Sequence, residues 1–148
     1  MLFSRSAEYA IRAFVILGTL PPGEYGLVKK IALDTEIPAH FLAKILQDMV
    51  KNGFLKSSKG PGGGFRLALP PEEISLMRIV EAVDGAGRYD RCPGGFPECN
   101  DRMACAIHDS WMPVRSHIVE YLQGTSVASL AKSLGEKRRR GTKEKRPK

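Results

Sequence analysis

Apolar residues recur at a helical period over residues 4–18, where Ala7, Ala10, Ile11, Phe14, Val15 and Gly18 share one stripe and Ser4 stands in a capping position. The run Gly18-Thr19-Leu20-Pro21-Pro22-Gly23 ends that helix. A short second helix over residues 27–34 buries Val28, Ile31 and Ala32. A turn at 35–38 tucks Ile37 inward, and a third helix runs to Asn52 with Leu42, Ile45, Leu46, Met49 and Val50 inside and Gly53 as its stop. The period then shortens to two. Phe65, Leu67 and Leu69 point inward and Arg66 outward, on the far side of a Gly/Pro turn at 60–64, which predicts a β-hairpin.

Pro71-Glu72-Glu73 opens a fourth helix that buries Leu76, Ile79, Val80 and Val83 and ends at residues 84–87. Farther on, Ile107, Trp111, Val114, Ile118 and Tyr121 form a heptad seam, suited to pairing with a second copy of the chain or to packing on the fourth helix. Pro113 requires that this helix start near Asp109 or Ser110, so that the proline falls in its first turn. A last helix over 127–134 stops at Gly135, and residues 136–148, which lack apolar side chains, are expected to be disordered.

Two helices joined by a tight turn, followed directly by a hairpin, make a winged helix-turn-helix. The fold class is therefore mainly α with a small β-hairpin wing. The chain divides into a DNA-binding unit (1–70), a connecting helix (71–88), a cysteine loop (89–108), dimerisation helices (109–135) and a basic tail (136–148). On the third helix, Ala39, His40, Ala43, Lys44 and Gln47 form the exposed face for the major groove, where Lys and Gln bond base edges and Ala meets a thymine methyl. In the wing, Lys59, Gly62, Gly63 and Arg66 suit phosphate or minor-groove contact. A phosphate-cradling loop at 60–64 is a poor reading, because no Lys-Ser/Thr pair follows it and no strand-then-helix context surrounds it.

Charge refines this division. The net charge is +7, but residues 136–148 alone carry +6, so the pI belongs mostly to the tail. Within the body, residues 1–69 are basic (+4) and 70–135 acidic (−3), which suits one half to phosphate and not the other. The longest apolar run, residues 13–17, is too short to span a membrane, and Glu8 and Arg12 interrupt what would be a signal peptide's hydrophobic region. A reducing cytoplasm is the expected compartment.

All three cysteines lie in one loop with the spacing Cys92-x6-Cys99-x5-Cys105-x2-His108. Pro93, Gly94, Gly95 and Pro97 leave the loop free to fold around an inorganic core. Three thiols leave one over for any disulfide scheme. Three thiolates and an imidazole suit a tetrahedral zinc, and the same donors suit an iron–sulfur cluster, [2Fe–2S] or [4Fe–4S]. Cys105 and His108 as nucleophile and base would need a positioned third group, and no oxyanion or substrate pocket is visible in the sequence, so the chain does not read as an enzyme.

The order of parts resembles the Rrf2 family of bacterial transcription regulators, whose branches include IscR-like and NsrR-like proteins. The marks are Lys51-Asn52-Gly53-Phe54-Leu55, Gly60-Pro61-Gly62-Gly63-Gly64-Phe65, Ile79-Val80-Glu81-Ala82-Val83-Asp84 and the cysteine loop, within a resemblance covering residues 1 to 134. It implies a homodimer on a pseudo-palindromic double-stranded operator, located at the nucleoid when bound, with Cys92, Cys99 and Cys105 as ligands of an iron–sulfur cluster that senses iron, redox state or nitric oxide. The fourth ligand is then His108, as in the IscR-like branch, or Glu8 of the partner subunit, where NsrR-like members carry a carboxylate. Glu8 also has a local alternative, an i,i+4 pair with Arg12.

Overall fold

The structure is a computed structural model that describes residues 2–144. Helix α1 (Arg5–Gly18) buries Ala7, Ala10, Ala13, Phe14, Ile16 and Leu17, and the Ser4 hydroxyl accepts the Ala7 N–H at 3.1 Å. Against it pack α2 (Val28–Thr35) and α3 (Ala39–Lys51). Between these two, Glu36 takes the left-handed conformation (φ 57°) that turns the chain, and Ile37 is buried beneath it. Leu42, Leu46 and Met49 hold α3 to the core, where Phe14 and Phe54 meet edge to face at 6.3 Å.

Strands β1 (Leu55–Ser58) and β2 (Gly64–Leu67) pair antiparallel in the register Leu55↔Leu67 to Ser58↔Gly64. The hairpin gains a third edge that the sequence does not announce. Gly26 and Phe65 exchange backbone hydrogen bonds of 2.7 and 2.9 Å, fastening the wing to the α1–α2 loop. A Cβ at Gly64 would meet the Gly26 carbonyl oxygen at 2.1 Å, so this close approach requires glycine.

Three expectations are corrected. Helix α4 (Leu76–Asp84) starts at its Ser75 cap, whose hydroxyl accepts the Arg78 N–H, and Pro71–Glu73 is a separate 3-10 turn. Ile74 between them is extended because the 74–76 segment pairs with residues 125–127, through Val127 N–H to the Ile74 carbonyl (2.8 Å) and Leu76 N–H to the Thr125 carbonyl (2.9 Å). Helix α5 spans His108–Gly124, which puts Pro113 in the second turn instead of the first; the loss of one N–H there is tolerated. Helix α6 runs Val127–Glu144, straight through Gly135. One glycine costs a helix only about 1 kcal/mol, and the Lys, Arg and Glu residues that follow are good helix formers. Residues 136–144 are thus helical rather than disordered, while 145–148 lie outside the described residues.

Helices α4, α5 and α6 meet in a second cluster around Leu76, Met77 and Leu122. Along the seam, Ile107, which precedes α5, and Val114 and Tyr121 on it are exposed, whereas Trp111 and Ile118 are half-buried. The heptad seam therefore rests one edge on the chain's own body and leaves the other open. Among the described residues, no helix is long and apolar enough to cross a membrane.

Candidate metal centre and nucleic-acid interface

The cysteine loop is pinned to the helical body at several points. Asp84, at the end of α4, bonds both the backbone N–H (3.2 Å) and the hydroxyl of Ser4 at the start of α1, and its carboxylate meets Arg88 at 3.3 Å. The Tyr89 hydroxyl donates to the Leu2 carbonyl at 3.0 Å, and Arg115 of α5 pairs with Asp90. Movement in the loop is thereby tied to α1, α4 and α5 together.

Within the loop the three cysteines are free thiols, Cys92 buried and the other two half-exposed. Cys92 Sγ stands 3.7 Å from Cys105 Sγ, and Cys99 Sγ stands 3.7 Å from His108 Nδ1. A tight turn, closed by Gly95 N–H to the Cys92 carbonyl at 3.1 Å, aims the N–H groups of Gly94 and Phe96 at the Cys92 sulfur. Burial pushes the Cys92 thiol up. The donated N–H bonds and the neighbouring Cys105 and Cys99 thiols outweigh that and leave it below the usual thiol range. Cys99 is held above that range, by burial first and then by Cys92, against the opposing charge of Arg115.

His108 opens α5 and is buried, with its Nε2 3.0 Å from Asp101 Oδ1. When Nε2 carries the proton it donates to this carboxylate, and the Nδ1 lone pair is left facing the Cys99 sulfur. The Asn100 side chain accepts the N–H groups of Arg102 (3.1 Å) and Met103 (2.9 Å), forming the turn that presents Asp101. The sequence reading missed both residues. An Asn-Asp pair ahead of a Cys-x2-His was their available signal. Glu8, half-buried on α1, is not among the donors that these contacts bring together.

The donors fit a metal group as two pairs. Two thiolates sharing one tetrahedral metal at a bond length of about 2.3 Å stand about 3.8 Å apart, close to the Cys92–Cys105 spacing. Among the described residues, no three His, Cys, Asp or Glu side chains are grouped to hold a single ion.

On the face expected to read DNA, α3 exposes Ala39, His40, Lys44 and Gln47, with Ala43 half-buried. Phe41, absent from the sequence-derived set, is 56% exposed beside His40, with ring centroids 4.3 Å apart. In the wing, Lys59 and Gly62 are exposed at the tip. Gly63 is buried, where a Cβ would meet the Ser58 carbonyl oxygen at 2.4 Å, so it shapes the turn and offers no contact surface. Arg66 also departs from the outward orientation expected of it. Its guanidinium lies 5.1 Å over the Tyr25 ring, and the half-buried side chain packs against the α1–α2 loop.

A helix-turn-helix with a hairpin wing, joined to a cysteine loop and a long helix, defines a winged-helix transcription regulator. The chain belongs to the Rrf2 family, whose sequence profile, described as an iron-dependent transcriptional regulator, matches residues 3–133. It is 35% identical over 133 residues to a putative HTH-type transcriptional regulator of Aquifex aeolicus, covering 88% of this chain and 91% of that protein. It is 33% identical over 94 residues to the HTH-type transcriptional regulator IscR of Aliivibrio salmonicida, covering 64% and 55% respectively. The fold is that of CymR, the global cysteine regulator of B. subtilis, with a TM-score of 0.76, 21% identity and coverage of 88% and 96%. The chain is therefore a transcriptional regulator and not an enzyme.

Proposed function

We propose that this regulator is a cytoplasmic homodimer that grips a pseudo-palindromic operator with a strength set by an iron–sulfur cluster. Its ligands would be Cys92, Cys99, Cys105 and His108. The observation that carries this reading is the clustering of four donors, Cys92 with Cys105 and Cys99 with His108 at 3.7 Å each and the Cys92 thiol also beside Cys99. A [2Fe–2S] core takes two protein donors on each iron, whereas a [4Fe–4S] core takes one on each, so the pairing favours the smaller cluster. A single structural zinc would draw all four donors to one point, which suits the pairs less well. When bound, such a cluster supplies one-electron redox chemistry and reactivity toward oxidants and nitric oxide.

The chain's own residues supply the coupling. His108 is the first residue of α5, so fixing its imidazole fixes the start of the seam formed by Ile107, Val114 and Tyr121. A second copy packed on that seam sets the distance between the two α3 helices. A change of about 1.4 kcal/mol between loop states alters operator affinity tenfold. Base reading falls to His40, Lys44 and Gln47, with Ala39 and Ala43 against thymine methyls, and backbone contact to Lys59 and the Gly62 tip. The test is oxygen-free purification with iron, zinc and acid-labile sulfide assays. Equal iron and sulfide with visible absorption supports the reading, and one zinc per chain without sulfide overturns it.

A further inference from the structure

We infer that the C-terminal half of α6 is a second DNA contact, a basic helix that binds the phosphate backbone beside the α3 site. This rests on the reading of α3 as the base-reading helix. The family match ends at residue 133, and the basic stretch begins immediately beyond it. Lys137, Arg138, Arg139 and Arg140 are consecutive, exposed and held on a helix continuous with the packed body.

Their position relative to α3 follows from the packing. Helix α6 starts beside Gly18, where Val127 and Ala131 abut the end of α1, and runs back along Val15 and Ile11. There Leu130 and Leu134 line a groove of about 550 Å³ with Lys137 and Arg138, whose opposite wall is residues 33–36 at the end of α2. Glu36 is three residues ahead of Ala39, the start of α3, a span of at most about 11 Å. The major groove is about 12 Å wide, so a helix inserted in it has phosphates within a comparable distance on either side.

Acidic side chains argue for a division of labour. Asp34 and Glu36 line the same groove, on the wall opposite Lys137 and Arg138, and offset part of their charge. At 100° per residue, Arg139 points away from the groove-lining stripe of Leu130, Leu134 and Lys137. Neither Arg139, opposite that stripe, nor Arg140, to one side of it, lines the groove with these carboxylates, and they are therefore the pair for phosphate contact.

The test measures full-length protein binding to a duplex operator, isolated by selection from random sequence, across a range of salt concentrations. Each phosphate contact contributes about 0.9 to the slope of log affinity against log salt. Arg139→Gln with Arg140→Gln should lower the slope by about 1 to 2, and Arg139→Lys with Arg140→Lys should restore it. The difference should vanish on a duplex trimmed to the two half-sites. An unchanged slope in the Gln variant overturns the proposal, whether the helix is idle or engages an acidic protein instead. If the unaltered protein selects no duplex at all, the reading of α3 fails rather than that of α6.

Discussion

The imidazole of His108 is bonded at Nε2 to Asp101 Oδ1 at 3.0 Å, and that contact turns Nδ1 toward the Cys99 sulfur, 3.7 Å away. The Asp101 carboxylate is otherwise exposed, so its removal should leave the fold intact while freeing the ring. Asp101→Ala should retain metal about 10- to 100-fold less well than the unaltered protein. Competition with a chelator, followed by visible absorbance, measures this. Asp101→Asn, which keeps an acceptor at Oδ1, should recover most of the loss.

The open edge of α5 gives a second prediction. Val114 and Tyr121 are each about half exposed on a seam of helical period. Glutamate at both positions would place charge inside an apolar helix pair. Sedimentation should show the Val114→Glu, Tyr121→Glu variant to be monomeric, with operator affinity reduced by well over tenfold; a dimer of unchanged strength would assign the seam to another role.

The link between the two ends of the fold is thermodynamic as well as geometric. Asp84 is nearly buried and bonds Ser4 through both its backbone N–H and its hydroxyl, and Ser4 in turn caps α1. Asp84→Ala strands those groups and should lower stability by about 1–3 kcal/mol. The shift is to be read from the urea midpoint at constant m.

At the wing, Gly64→Ala forces a Cβ onto the Gly26 carbonyl and a φ of 132° that L-residues disfavour. The bridge to Phe65 should open and DNA affinity should fall, while iron content stays at the level of the unaltered protein. Parallel loss of iron would show that the wing and the loop are not separable.

Residue spacing alone revealed the helices and the hairpin and singled out the cysteine loop as a candidate metal centre, because each is a local pattern. Other features depend on partners distant in sequence. Ser75 begins α4 because residues 74–76 pair with 125–127, and Arg66 lies on Tyr25 because Gly26 bridges Phe65. Neither pairing leaves a periodic trace. The stop expected at Gly135 failed for a different reason: a single glycine is a weak signal against the run of helix-favouring Glu, Lys and Arg at 136–140. The division of the donors into two pairs is likewise a product of loop folding. Spacing shows that four candidate donors are near one another, but not which sulfur faces which.

Operator affinity measured before and after removal of the metal group, on protein prepared without oxygen and assayed for iron and sulfide, tests the central claim most directly. The expected result is about two irons and two sulfides per chain, visible absorption that disappears in Cys92→Ala, and at least a tenfold change in affinity on removal. Colourless protein containing zinc, or identical affinity in the loaded and stripped states, would contradict it.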